Sequence, residues 1–171
     1  MTPHNELFVK IKQALITIPS LELIDLQRRQ FLNPEVGDPV FWTAALIDVK
    51  SIAWQNLSEG NQEGDCKVEV ILYCKKGWAE QLNVTVESED ELAEYDLVQK
   101  ISEKIQRLKG DLFTSLLLID EKAITQKRDN AIEGYKGYRL TFDTTICRLL
   151  SPNPVYTKRH LDLTIDIKKT S

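Results

Sequence analysis

The chain has two histidines that could act as general bases or metal ligands, His4 and His160. His4 lies next to the N-terminus, and His160 follows Lys158-Arg159 at the start of a strand-like run. A histidine base works with a nucleophile or an orienting group within hydrogen-bond reach. Neither histidine belongs to such a set in the sequence. We therefore expect both to be exposed side chains rather than ligands or bases.

Three cysteines, Cys66, Cys74 and Cys147, are spread along the chain without a CxxC pair. Structural zinc sites need four ligands, usually cysteines and histidines in close pairs, and the chain has no such cluster. Cys66 and Cys74 would point to the same face of one strand, but roughly 26 Å apart at ~3.3 Å per residue. We therefore predict that both are small buried side chains. The odd number and wide spacing of the cysteines favour a reducing cytoplasm.

Asp162 and Asp166 are the carboxylate pair that could be proposed for acid–base or metal chemistry. On a strand they would lie roughly 13 Å apart, too far to act together. The seven glycines form no phosphate-binding loop, and no GxSxG nucleophile turn is present. The sequence thus predicts a protein that is not an enzyme and that needs no cofactor or metal.

Length and composition predict a single domain over residues 1–171. The chain has 42% hydrophobic and 28% charged residues and a net charge of −4. Its basic residues occur in scattered pairs rather than one stripe, which disfavours tight nucleic-acid binding. No signal peptide is recognisable at the start, and no stretch approaches the ~18 apolar residues of a membrane span. We expect no membrane partner.

Two amphipathic helices should position the rest of the chain. The first is predicted over Asn5–Thr17 and is ended by Pro19. The second begins at a capping box of Ser88 and Glu91 and stops at Gly110. Its predicted apolar face consists of Leu92, Tyr95, Val98, Ile101, Ile105 and Leu108.

Alternating apolar residues predict a mainly antiparallel sheet. The strand-like runs are Phe41–Ile52, Cys66–Cys74, Tyr138–Arg148 and Leu161–Ile167, with two further runs, Leu21–Gln27 and Leu112–Ile119. A polar loop, Ser58–Asp65, should connect the first two. The fold class is therefore α+β, with the two main helices on one face of the sheet.

Candidate interface residues lie in two places. Trp42, Trp54 and Trp78 belong to the first sheet region, and tryptophan is enriched both in cores and in interface hot spots. Core is the favoured reading for Trp42, whereas both readings stay open for Trp54 and Trp78.

The second place is Asp120–Gly137, which we expect to form a protruding hairpin or loop, because exposed strand edges pair readily with other chains. Its candidate contact residues are Lys122, Lys127, Arg128 and Tyr135.

The order of elements resembles the phage tail terminator family, also described as tail-completion or head–tail joining proteins. Phe41–Asp48 and Asp65–Cys74 carry the resemblance, and Glu22–Asn33 is similar to the segment that precedes this strand in related prophage proteins. The chain departs from the family at Asp120–Gly137 and in the long connection Pro152–Val155.

The resemblance implies a small subunit that forms a hexameric ring on the end of the tail tube. Its partners would be further copies of itself, the tail tube protein and the head–tail connector protein. It would be prophage-encoded and located in the virion or in the cytoplasm of a bacterial host.

Three functions remain open at this point. The first is the ring-forming virion assembly protein, and the second is a non-catalytic adaptor or neck protein that binds other proteins. The third is a hydrolase or nuclease that uses scattered aspartates and glutamates, which the missing catalytic sets disfavour.

Overall fold

A five-stranded sheet carries two helices on one of its faces. The structure, a computed structural model, describes residues 1–28, 43–58, 60–74, 89–124 and 136–149. In chain order the elements are α1 (Pro3–Leu15), β1 (Leu23–Leu26), β2 (Ala44–Ser58), β3 (Asn61–Cys74), α2 (Glu89–Ile105), β4 (Leu117–Ile124) and β5 (Lys136–Leu149). The predicted α+β class with both helices on one face is confirmed.

The strand order is β1-β2-β3-β5-β4, and β1 and β2 are the one parallel pair among the described strands. One face of the sheet, here called the helix face, packs against α1 and α2. The core lies between this face and the helices, and its fully buried side chains include Leu7, Ile11, Ile47, Val68, Val70, Ile101, Leu140 and Phe142. The opposite face, called the outer face, carries a smaller buried cluster of Leu46, Ile71, Tyr73 and Ile124.

β2 and β3 form a long hairpin whose ladder continues to the pair Ser58 and Asn61. Gly60, with a φ of 85°, supplies the left-handed conformation that the tight turn needs. The predicted loop Ser58–Asp65 is therefore wrong, because five of its residues belong to β3. Exposed polar residues pair as well as apolar ones here, since the ladder bonds join backbone groups.

α1 begins two residues earlier than predicted and ends two residues earlier. The hydroxyl of Thr2 accepts a hydrogen bond from the backbone N–H of Asn5 at 3.3 Å, and Pro3 occupies the first turn. Both features are typical of helix starts. Glu6 is 5% exposed, and its carboxylate accepts backbone N–H bonds from Asp111 at 2.7 Å and Leu112 at 2.8 Å.

α2 presents the predicted residues Val98, Ile101 and Ile105 to the core, together with Leu97. Tyr95 departs from the prediction because it is 56% exposed. The predicted stop at Gly110 is also wrong: α2 ends at Ile105, and Arg107 adopts the left-handed conformation with a φ of 67°.

The segment after α2 enters the sheet later than predicted. Phe113 forms an isolated bridge to Ile146, and β4 begins only at Leu117, not at residue 112. Asp120–Ile124 then pairs with β5 as far as Gly137. The two ends of the predicted hairpin or loop Asp120–Gly137 are antiparallel sheet, with residues 120–124 on β4 and 136–137 on β5. Residues 125–135 lie outside the described residues, so whether the segment protrudes stays a prediction. The predicted strand Leu161–Ile167 lies outside them too.

Candidate protein interaction surfaces

One of the two edge strands of the described sheet is β4, and its outer edge is here called the β4 edge (Leu117–Ile124). β4 pairs with β5 on one side, and among the described residues no strand pairs with its other side. Leu117 is 49% and Ile119 is 51% exposed. Ile119 is the extra residue of a β-bulge between Leu118 and Asp120, and such a bulge changes the direction of side chains along the strand.

Two polar contacts mark the β4 edge. The backbone N–H of Leu118 donates to Oε1 of Gln106 at 2.8 Å, so a side chain following α2 satisfies one amide of the strand. Lys122 lies 2.8 Å from Asp120, and the two side chains are 66% and 40% exposed. An ion pair this exposed stabilises the fold little, on the order of 0–1 kcal/mol. Lys122, a predicted interface residue, therefore remains accessible on the outer face of β4.

On the helix face, an aromatic side chain stands beside the β4 edge. The ring of Tyr95 meets that of Tyr138 edge-on, with centroids 5.8 Å apart. Tyr138 is opposite Ala123 in the β4–β5 ladder and donates its hydroxyl to Glu94 at 3.1 Å. Tyr95 and Ala123 are both exposed, and each is next to Tyr138: Tyr95 through its ring and Ala123 through the ladder.

The far end of the hairpin holds Trp54. The guanidinium of Arg148 lies over the indole ring, 4.1 Å from its centroid, and its Nε donates to Oε1 of Gln62 at 2.7 Å. Trp54 is opposite Gly64, where an added Cβ would lie 3.3 Å from the indole. Leu57, in a second bulge close to the turn, is 62% exposed. Trp54 therefore packs partly within its own sheet, and Leu57 is a large apolar side chain that the hairpin exposes to solvent.

The outer face carries a network of charges. The ammonium of Lys50 contacts Asp48 and lies 3.0 Å from Glu69. Burial alone would lower the pKa of Lys50, but its hydrogen bonds and attraction to the two carboxylates outweigh burial and raise it. Nε of Arg139 lies 3.5 Å from Glu69, close enough for charge attraction, yet this buried nitrogen has no hydrogen-bond partner.

A shallow groove of about 290 Å³ opens next to this network, at the bulge that places Lys50 and Ser51 opposite Lys67. Its lining also includes Asp65 and Asp143, so both acidic and basic groups line it. A groove of mixed charge favours polar protein contacts over a single anionic or cationic ligand.

The cysteines occupy two different environments. Cys66 is 1% exposed, and burial, with a smaller contribution from the charge of Asp143, raises the pKa of its thiol to about 11. Cys74 is also buried, whereas Cys147 is exposed. Within the described ranges no three histidine, cysteine or acidic side chains come together as metal ligands, and neither helix is long and apolar enough to cross a bilayer.

Only some of the candidate residues that the sequence predicted lie among the residues that the structure describes. His4 is exposed on α1, Trp54 lies under Arg148, and Lys122 is on β4. The remaining candidates lie outside the described residues, namely Trp42, Trp78, Lys127, Arg128, Tyr135, His160, Asp162 and Asp166. The sequence analysis did not identify Leu117 and Ile119 as candidate interface residues. The run LLLI directly before DEK was a usable signal, because a half-buried strand needs only alternate residues to be apolar.

No family model matches the chain, and no curated protein matches it. Among solved structures, the chain is similar to a chain of the virion of a native gene transfer agent (GTA) particle, with a TM-score of 0.51 and 9% sequence identity. The match covers 85% of this chain and 97% of that chain. At this identity the likeness shows a shared fold, and the fold of this chain is one that a virion chain also adopts.

Proposed function

We propose that this protein is a non-catalytic structural subunit of a phage-like particle. More specifically, we propose a tail terminator that forms a hexameric ring, ends the tail tube and joins it to the head. The observation that carries the proposal is the fold shared with a chain of a gene transfer agent virion over 97% of that chain. The order of elements in the sequence independently resembles the terminator family.

The surfaces of the described residues support a protein that works by contact. A ring needs a heterologous interface, in which one face of a subunit meets a different face of its neighbour. The β4 edge offers backbone groups and two half-exposed apolar side chains, Leu117 and Ile119. A stable contact buries at least ~1,000 Å² in total, so the β4 edge would be one part of a larger interface.

The proposal is tested by assembly in solution and on tubes. Light scattering after size exclusion, together with negative-stain images, should show closed rings of six subunits. Tail tubes polymerised from the cognate tube protein should stop growing when the protein is added, and the protein should then bind the head–tail connector.

Two results would overturn the terminator assignment. A strict monomer at high concentration that leaves tube growth unchanged would exclude it. Binding to the connector without binding to the tube end would instead identify an adaptor or neck protein.

A further inference from the structure

We infer that the outer edge of β2 in one copy pairs with the β4 edge of a neighbouring copy as antiparallel strands, so that the two sheets join into one. The inference rests on the proposed function, because it assigns a contact that would link neighbours in the ring.

The first argument is that the described sheet has an open edge at each side. β1 pairs with β2 along Ala44–Ile47, and among the described residues no strand pairs with β2 beyond Ile47 on that side. The stretch Asp48–Ala53 is here called the β2 edge. β3 and β5 separate it from the β4 edge of its own chain by roughly 14 Å, at ~4.8 Å per strand. The two edges therefore cannot pair with each other within one chain, and a second copy is needed to bring them together.

The second argument is the direction of the strands. β2 is antiparallel to β3, β3 is antiparallel to β5, and β5 is antiparallel to β4, so β2 and β4 run in opposite directions. A second copy placed beside the first, with the same face of its sheet outward, brings its β4 edge antiparallel to the β2 edge. Such a contact joins two different surfaces, as a ring of identical subunits requires.

The third argument is the position of the two bulges. β2 has one extra residue where Lys50 and Ser51 lie opposite Lys67, and the extra residue of β4 is Ile119. A bulge shifts the alternation of side chains between the two faces, so two bulged strands keep matching faces along their length when the bulges lie opposite each other. Setting Ile119 opposite Ser51 meets this condition. The resulting pairs are Leu117 with Ala53, Asp120 with Lys50 and Lys122 with Asp48 on the outer face, and Leu118 with Ile52 and Glu121 with Val49 on the helix face.

The fourth argument is the complementarity of charge in this register. Lys122 would face Asp48 and Asp120 would face Lys50, and all four side chains are at least 30% exposed. An ammonium has three donors, so each lysine can bind a second carboxylate while keeping the aspartate of its own chain. Moving the register by two residues in one direction would set Asp120 against Asp48, and facing like charges are destabilising. The same shift in the other direction would set Lys122 against Lys50.

The groove of about 290 Å³ offers space for an apolar side chain of the neighbour. Its lining includes Ala53, which would face Leu117 of the second copy. Leu117 is 49% exposed in the single copy, so covering it would remove apolar surface from water.

Pairing exchanges one hydrogen bond at the β4 edge. The backbone N–H of Leu118 donates to the side chain of Gln106 in the single copy. A carbonyl of the β2 edge would replace Gln106 as the acceptor, so this exchange alone changes the free energy of association little. The gain comes from the side-chain pairs and from the other backbone groups of the two edges.

Disulfide trapping between two variants tests the inference. One protein carries Ala53→Cys and the other carries Leu117→Cys, both in a Cys147→Ser background that removes the exposed native thiol. Because the two positions face each other in the proposed register, mild oxidation of the mixture should give a covalent dimer with one copy of each variant. Ala123→Cys, at an exposed position on the opposite face of β4, replaces Leu117→Cys in the matched control and should give no mixed dimer.

The inference is wrong if the mixed dimer is absent, or if the control gives as much of it. If rings still form and tubes are still capped in either case, the proposed function stands and this contact is wrong. If the mixed dimer forms specifically but tubes grow unchecked, the contact stands and the terminator function is wrong.

A charge exchange gives an independent measurement. Lys122→Asp would set two aspartates against each other and should weaken self-association about 10-fold or more by light scattering. Adding Asp48→Lys in the same chain restores opposite charges and should return self-association to within about threefold of the parent protein. Lys10→Asp, at an exposed position of α1, makes the same change of charge and should alter it less than about twofold. A double variant that associates no more strongly than Lys122→Asp would contradict the pairing of Lys122 with Asp48.

Discussion

The carboxylate of Glu6 lies against the open side of Gly110, where an added Cβ would stand 2.6 Å from Oε1 and closer still to the ring of Phe113. This contact ties the first turn of α1 to the segment that follows α2. The carboxylate satisfies two backbone N–H groups there, at Asp111 and Leu112, which belong to none of the described helices and strands.

Replacing Glu6 with alanine should lower the free energy of unfolding by about 3 kcal/mol, because two amides would lose a charged acceptor. Urea denaturation followed by circular dichroism measures the change. Glu103→Ala is the matched control, since Glu103 is exposed on α2 and, among the described residues, accepts from the side chain of Gln99. The control should change stability by less than about 0.5 kcal/mol. A loss for Glu6→Ala no larger than that of the control would contradict this role.

Gly110→Ala should destabilise the protein by about 2 kcal/mol or more, because the new methyl group would overlap Phe113 and Glu6. The expected loss comes from steric overlap with these neighbouring atoms and not from an unfavourable backbone conformation at residue 110. Thermal unfolding of Gly110→Ala beside the exposed neighbouring variant Lys109→Ala provides the comparison. Equal thermal unfolding midpoints for the two variants would show that the segment around residue 110 shifts to accommodate the methyl group without loss of stability.

The cation–π contact of Arg148 with Trp54 should appear as a coupling energy of about 1 kcal/mol in a double-mutant cycle of Trp54→Leu and Arg148→Met. Methionine keeps much of the length of the arginine side chain, so the cycle isolates the charge over the ring. Gln62→Ala, which removes the hydrogen-bond acceptor of Arg148 together with the bond that Gln62 donates to Asn56, serves as a reference. Simple additivity of the two changes would mean that the contact is energetically neutral.

The Cys66 thiol should make stability fall at alkaline pH. Its pKa rises from an ordinary value of 9.0 to about 11 on folding, so the native state favours the protonated form. The resulting stabilisation is fully present below pH 9 and is lost as the pH rises through 11, by about 2 kcal/mol. Cys66→Ala should show a flatter decline over this window, whereas Cys147→Ala should keep the slope of the parent protein. Identical slopes for all three proteins would refute the assignment.

The sequence predicted the elements with strong periodicity and failed where tertiary contacts decide. Val68, Val70 and Leu72 alternate so cleanly that the face of β3 could be read directly. By contrast, the polar stretch after Ser58 looked like a loop, because side-chain polarity does not reveal whether backbone groups are paired. In the structure this stretch is strand, and β3 pairs with a third strand, β5, along its whole length as far as Asn61.

The candidate surfaces were harder to predict than the fold. Exposure of Ile119 depends on a bulge, and a bulge inserts one residue without any required sequence signature at that position. Gly110 illustrates a second difficulty: glycine after a helix usually marks its end, but here Arg107 takes that conformation and Gly110 makes room for groups far away in the chain. Neither feature follows from local pattern.

The bond between Glu6 and Leu112 joins residues that are 106 positions apart, which has a consequence for synthesis in the cell. At ~5–20 residues per second, a ribosome makes the acceptor of this contact roughly 5–20 s before its donors. During that interval Leu7, Ile11 and Leu15 lack part of the surroundings that bury them in the finished fold, because α2 and β5 also pack against α1. The first helix is therefore only partly covered until α2 and the segment after it have been made, and a chaperone could bind its apolar face during that interval.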